Sequence, residues 1–203
     1  MPGRLYLTRP VAELADIAGV DVPDAEPPRR NIKPGQEVLA LIETGFCKMR
    51  WGMIPTARRN ARGRPVMQTI VNARSETIFD KSAFGNMRRA VVPVDGWYEW
   101  TGQSRRKTAW DIRSAEGAPL WFSSIYDVWS TPGGIEVPQI ATLTCPPNAD
   151  LRNIHDRMGV ILEPKDLGLW LTGDATAARA LFRPWPDGRL TISEAKDVDW
   201  AEP

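Results

Sequence analysis

Four places in this chain carry residue types that can do chemistry. The first is Pro2, in Met1-Pro2-Gly3-Arg4. If the initiator methionine is trimmed, Pro2 supplies a secondary amine that can attack an aldehyde and form an iminium, as unprotonated amines do in covalent catalysis. The plain alternative is that a proline there matters only for processing. The second is His155, the one histidine in 203 residues, set in Asn153-Ile154-His155-Asp156-Arg157-Met158. An imidazole among polar neighbours at a strand entry suits proton transfer or hydrogen-bond donation, although a capping or core histidine would look the same. The third is Glu99 in Asp95-Gly96-Trp97-Tyr98-Glu99-Trp100, where strand alternation puts Glu99 on the face of Trp97. A carboxylate beside an indole loses water and rises in pKa toward the range useful for proton transfer, unless an arginine pairs with it. The fourth is Asn72 and Arg74 in Val71-Asn72-Ala73-Arg74-Ser75-Glu76-Thr77, an amide and a guanidinium two residues apart. On one face of an extended chain they can hold a phosphate or a sugar oxygen; at a helix entry they would be only a cap and a surface arginine.

Charge distribution bears on the substrate class because it is segregated. The formal net charge is +1, yet no acid occurs between Thr44 and Ser75, where Lys48, Arg50, Arg58, Arg59, Arg62, Arg64 and Arg74 lie. Six of those seven cations are arginine, which suits planar recognition of phosphate, and an acid-free basic run is what a nucleic-acid backbone demands. A solvated loop is the alternative. Pro34-Gly35, in Asn31-Ile32-Lys33-Pro34-Gly35, marks a turn whose backbone can approach a ligand.

Other classes are disfavoured. No stretch reaches the roughly 20 apolar residues of a membrane span, and no basic-then-apolar signal pattern opens the chain. Cys47 and Cys145 are far apart with no metal-type spacing, and no second histidine or carboxylate cluster completes a ligand set. A reduced cytoplasmic protein with free thiols, no cofactor and no metal is expected, and a monomer.

The elements that must position these residues read as one domain over 1–203. An amphipathic helix is expected at Val11–Ala18, a strand pair at Val38–Ile42 and Cys47–Trp51 across Glu43-Thr44-Gly45, and a basic loop at Thr56–Pro65. A helix opened by Ser75 is expected over Glu76–Arg88. Strands follow at Ala90–Val94, Trp97–Thr101, Thr108–Arg113, Leu120–Ile125, Glu136–Thr144 and Met158–Leu162, then helices at Pro164–Leu171 and Ala175–Phe182. Many strands and few helices predict an α+β fold with a dominant antiparallel sheet curled into a barrel.

In order, Pro2-Gly3-Arg4, Asn31-Ile-Lys-Pro-Gly35, Trp51-Gly-Met-Ile-Pro55, Val71-Asn-Ala-Arg-Ser-Glu-Thr77, Asp95-Gly-Trp-Tyr-Glu-Trp100 and Ile154-His-Asp-Arg-Met158 resemble the SOS response-associated peptidase family, which shields abasic sites in single-stranded DNA. The resemblance runs from about residue 2 to about residue 163. It implies a β-rich barrel-like fold, a basic groove for single-stranded DNA and an active site at the mature amino terminus. In the family a cysteine there captures the sugar aldehyde as a thiazolidine. By resemblance, Asn72 orients the terminal nucleophile, Glu99 moves protons during ring opening and His155 stabilises the opened sugar or assists reversal. Gly3, Arg4, Asn31, Pro34, Gly35, Arg74, Thr144, Arg58, Arg59 and Arg62 are expected along the DNA. This chain departs from the pattern in having Pro2 at the cysteine position, no tryptophan in Thr56–Gln68, and no recognisable strand beyond about residue 183.

Three readings follow for the activity. Pro2 forms a transient Schiff-base adduct with an abasic site, or the chain binds single-stranded DNA without crosslinking, or a peptidase activity is limited to self-processing.

Overall fold

The computed structural model describes residues 2–54, 62, 68–80, 87–103, 106–130 and 133–201. Most of the basic loop, with Arg58 and Arg59, lies outside the described residues.

Among the described residues, thirteen strands form two sheets. The larger sheet closes on itself. Strands β3 (Glu37–Ile42) and β4 (Gly45–Trp51) form the expected hairpin, with Ile42 opposite Gly45 across Glu43-Thr44. β6 (Arg88–Val94) pairs with β3 on one side and β9 (Leu120–Ser130) on the other. β10 (Glu136–Cys145) pairs with β9 antiparallel and with β4 in parallel, so β3, β4, β10, β9 and β6 make a ring. The barrel anticipated from the strand pattern is therefore real, with one parallel seam that local patterning could not reveal.

The second sheet runs in the order β13-β8-β7-β1-β2, from β1 (Arg4–Leu7), β2 (Arg29–Ile32), β7 (Gly96–Thr101), β8 (Thr108–Ser114) and β13 (Leu190–Glu194). Alternation along β7 turns Trp97 inward, fully buried and edge-on to Phe122 of the barrel at 5.4 Å. Tyr98 and Trp100 face the other way, alongside Tyr6 of β1. Gly96 is required by close approach: a Cβ there would lie 2.4 Å from the Ile112 carbonyl and 2.5 Å from the Tyr6 hydroxyl.

Asp95 fixes the start of the chain against β7. Its carboxylate accepts from the Thr8 amide at 2.6 Å, the Thr8 hydroxyl at 2.8 Å and the Arg9 amide at 3.1 Å, and it pairs with the Arg9 guanidinium. Burial pushes this carboxyl's pKa up, but the bonds from Thr8 and Arg9 outweigh it and hold the group below its ordinary value. The acid of the Asp95–Trp100 motif thus acts as a staple for β1.

Three helices lie among the described residues, α1 (Val11–Ala18), α2 (Leu167–Thr172) and α3 (Ala175–Arg179), with α2 packed on β6 of the barrel and α3 against α2. Val11, Leu14 and Ala15 bury one side of α1, and Gly19 ends it in the left-handed conformation at φ 67°. The helix expected over Glu76–Arg88 does not form at either of its described ends, and residues 81–86 lie outside the described residues. Asn72–Arg74 is instead a short strand, β5, followed by a single 3-10 turn at Ser75–Thr77, and Arg88 already belongs to β6. Ser75 does not cap: its hydroxyl is buried with no hydrogen-bond partner among the described residues, while Ile78 is buried and Phe79 stacks on Phe182 at 5.7 Å. Tertiary contacts override the helical pattern there.

The 158–162 strand is split into β11 (Met158–Gly159) on β10 and β12 (Ile161–Leu162) on β9, joined through Val160. Residues 190–194 form the edge strand β13, where no strand was expected, because Leu190 to Glu194 pair in full register with Ser114 to Trp110. No helix among the described residues is long and apolar enough to cross a membrane.

Candidate active site at the amino terminus

The four candidate segments converge through two strand pairings. In the first, β1 runs antiparallel to β7 with Arg4 opposite Tyr98 and Leu5 opposite Trp97. One further step of that register puts Gly3 opposite Glu99, so the chain's start runs beside the acid. In the second, β5 is parallel to β10, with Asn72 opposite Thr142 and Arg74 opposite Thr144. Neither contact is local in sequence.

Asn72 is the link between them. Its Nδ2 donates to the Pro2 carbonyl at 3.1 Å, and the buried Thr142 hydroxyl donates to its Oδ1 at 2.5 Å. Thr142 therefore fixes which way the amide points, and the amide holds a backbone atom of Pro2 rather than its ring. Pro2 itself is buried. No sequence signal singled out Thr142, since only the β5–β10 pairing brings it to Asn72. Thr142→Val keeps the shape but removes the donor. We expect it to cost about 1–2 kcal/mol of stability, measured by chemical denaturation, because Asn72 Oδ1 loses its partner.

Glu99 is 4% exposed. Burial is the main cause that pushes its pKa up to about 7, with a smaller rise from Asp156 and a partial offset from the positive charge of the chain's amino terminus. The sequence reading of a desolvated carboxylate on the Trp97 face matches this placement. A carboxyl half-protonated near neutral pH can both give and take a proton.

His155 approaches from the opposite motif. The turn before it is pinned at the buried Leu151, whose carbonyl accepts from the amides of Ile154 at 2.8 Å and His155 at 3.0 Å. Its Nδ1 accepts from the Arg157 amide at 3.0 Å and lies 2.8 Å from the Asp156 carboxylate. The first contact suits a neutral ring protonated on Nε2; the second suits a proton on Nδ1. Burial, then the positive charge of the amino terminus, lower the imidazole pKa below its ordinary value, so the ring is neutral at neutral pH. Its side chain is 30% exposed and accessible to a substrate.

Arg157 and Glu76, two members of the quoted motifs with no role assigned from sequence, tie the His155 loop to β5. The Arg157 guanidinium grips the Glu76 carboxylate through two contacts of 2.5 and 2.8 Å and donates to the Thr144 carbonyl at 2.5 Å. Its hydrogen bonds to Glu76 hold the Glu76 carboxyl below the usual range. Thr144 is fully buried, with its hydroxyl on the Ala73 carbonyl at 3.3 Å, so it supports the site from inside.

The residues expected along the DNA are distributed unevenly. Arg4 lies beside the amino terminus with its guanidinium 5.9 Å from the Trp100 ring centroid and 2.8 Å from the Gly3 carbonyl. Arg74 and the Pro34-Gly35 turn are exposed. Gly35 has φ 95° and donates its amide to the Trp51 carbonyl at 2.7 Å, which sets the turn against the end of β4. Asn31 is fully buried, and its Nδ2 donates to the Asp199 carbonyl at 3.2 Å. Arg62 is exposed.

A closed β-barrel is flanked by a sheet that runs the start of the chain beside the buried Glu99, with Asn72 bonded to the Pro2 carbonyl. The chain belongs to the SOS response associated peptidase (SRAP) family, whose model matches residues 1–198. The match thus extends past residue 163 and takes in β13. The chain is similar to the abasic site processing protein YoaM of Bacillus subtilis, at 33% identity over 87% of this chain and 82% of that protein. It is also similar to the abasic site processing protein YedK of Escherichia coli, at 30% identity over 84% of this chain and 77% of that protein. Among solved structures, a protein from Bacteroides thetaiotaomicron has the same fold with a TM-score of 0.83 at 19% identity, over 96% of this chain and 92% of that one. One from Bordetella bronchiseptica has a TM-score of 0.79 at 26% identity, over 96% and 99%.

Proposed function

We propose that this protein binds single-stranded DNA and processes abasic sites through the Pro2 amine. The observation that carries the reading is the Asn72–Pro2 contact beside a carboxyl held near pKa 7. Similarity to abasic site processing proteins supplies the substrate class.

The ring-opened abasic sugar presents an aldehyde at C1′. Once Met1 is removed, the neutral Pro2 nitrogen adds to that carbon as the C=O π bond breaks, and the proton on the nitrogen passes to the oxygen to give the hydroxyl of a neutral carbinolamine. Protonated Glu99 donates a second proton to this hydroxyl, which leaves as water, and the nitrogen lone pair closes the iminium. The iminium acidifies C2′–H. Loss of that proton expels the 3′ phosphate by β-elimination and cleaves the strand, whereas addition of water releases the intact sugar. Asn72 holds the Pro2 backbone so that the nitrogen faces the sugar, and His155, neutral with Nε2–H, donates to the sugar oxygen as it opens. Arg4, Arg74 and the basic loop neutralise phosphates, which makes binding salt-dependent.

Incubation with abasic single-stranded DNA and borohydride is expected to give a covalent adduct of protein and DNA, and acetylating the amino terminus is expected to abolish it. Salt-sensitive binding with no trapped adduct from a protein shown by mass spectrometry to begin at Pro2 would replace this reading with one of non-covalent binding.

A further inference from the structure

The segment that follows β13 folds back over the outer face of the second sheet, next to the amino terminus. Trp200 lies against Tyr98 and Trp100, with ring centroids 5.1 and 5.3 Å apart. Trp100 is also the ring that Arg4 approaches, and Tyr98 adjoins Tyr6 at 5.2 Å. Tyr6, Tyr98 and Trp100 thus make a row of aromatic rings with Arg4 at the Trp100 end. At the other end Tyr6 and Tyr98 line a cleft of about 280 Å³ with the exposed Arg30 and with Asp111, Arg113 and Glu194. Aromatic rings interleaved with cations are what single-stranded nucleic acid uses, bases on the rings and phosphates on the cations.

What occupies that row now has the same chemistry. Residues 197–200 read Asp-Val-Asp-Trp, two carboxylates next to one large planar ring. The segment is held largely through its backbone: Asn31 Nδ2 donates to the Asp199 carbonyl at 3.2 Å and Lys33 Nζ to the Ala201 carbonyl at 2.7 Å. The turn into it is strained, since Asp197 is the one non-glycine residue with positive φ, at 57°, among the described residues. Trp200 remains 39% exposed. The contact engages Asn31 and Lys33, so opening it would bare the segment leading into the Pro34-Gly35 turn as well as the aromatic row.

We propose that residues 197–201 form an intramolecular strap that competes with single-stranded DNA for the Tyr98–Trp100 surface. The inference rests on the single-stranded DNA reading above and adds a regulation of that site. A strap closed about four-fifths of the time weakens apparent binding about five-fold, because only the open fraction is competent.

The test is equilibrium binding of a fluorescein-labelled oligothymidylate of about 15 nucleotides, near the upper site size of one single-strand-binding fold and without an abasic site. It is measured on the whole protein, on Trp200→Ala, on Trp200→Phe and on a chain ended after Lys196. Trp200→Ala and the shortened chain are expected to bind about five-fold tighter than the parent, with Trp200→Phe within about two-fold of it. Melting temperatures of all four show that each is folded; Trp200→Ala retains the backbone bonds to Asn31 and Lys33 if the shortened chain is not. Unchanged or weaker binding by folded Trp200→Ala, from a parent that does bind, overturns the strap alone. If neither the parent nor any variant binds the oligomer, the single-stranded DNA reading itself fails and the strap falls with it.

Discussion

Glu99→Gln is expected to slow borohydride-trappable adduct formation by about 10²–10⁴-fold, the usual contribution of a positioned general acid. In the mechanism proposed above, protonated Glu99 is the group that lets the carbinolamine oxygen leave as water. With a pKa of about 7 the parent rate, taken relative to that of the glutamine variant, should fall as pH rises through that value, the amine's own titration being common to both. The substitution should slow the reaction and yet stabilise the fold at alkaline pH. The carboxyl's folded pKa is raised above its unfolded value of 4.5, mainly by burial, so the neutral acid is the form the fold tolerates. Its contribution is fully present below about pH 4.5 and is lost as pH rises through about 7. The shift corresponds to a ceiling of about 3 kcal/mol. Glu99→Gln cannot ionise, so it should melt higher than the parent at about pH 8 and close to it at about pH 4. At roughly 2–4 °C per kcal/mol for a chain of this size, calorimetry resolves the difference. An amide variant that melts lower at the alkaline pH and forms adduct at the parent rate would make Glu99 a packing residue.

Pro2→Cys is expected to convert a transient adduct into one that survives heat and detergent without borohydride. The cysteine amine condenses with the C1′ aldehyde, losing water, and the thiol then adds across the resulting imine to close a five-membered thiazolidine. Proline has no thiol, so its iminium can only be reduced, hydrolysed or eliminated. The exchange leaves the local fold in place, because Asn72 holds the backbone carbonyl of residue 2 and not its side chain. Denaturing gel electrophoresis after reaction with abasic single-stranded DNA reads the result. A folded Pro2→Cys protein that begins at the substituted residue and yields no stable adduct would mean that this position does not meet the sugar aldehyde.

Much of the candidate site was legible because its members sit in compact motifs with chemically informative neighbours. Glu99 beside Trp97 announced a desolvated carboxylate through strand alternation, and it is buried, although β7 is buried on both faces at Trp97, Tyr98 and Glu99. The strands β3, β6 and β9 were visible as runs of apolar and β-branched or aromatic residues, and β4 and β7 through their apolar and aromatic content. The strands that were missed, β1, β2, β5 and β13, are short or carry arginines and polar residues, and pairing rather than composition makes them strands. Asn31 shows the limit on the functional side. A polar residue before a Pro-Gly turn looked like a DNA contact, yet it lies buried under a segment 168 positions later.

The sequence by itself determined that a barrel-forming set of strands carries a proline at position 2, one ionisable carboxyl in an apolar setting, one imidazole and an acid-free arginine-rich stretch. Those are properties of residue type, local period and order along the chain, and each can be read within a window of a few residues. Only the tertiary structure decided that Asn72 grips Pro2, that Thr142 orients Asn72, that Arg157 and Glu76 lock the His155 loop, and that Trp200 covers Trp100. Such contacts join residues tens of positions apart through the parallel β5–β10 seam and the β1–β7 pairing. No local energy selects them; they form because closing the barrel and burying the inner face of the second sheet brings those strands side by side.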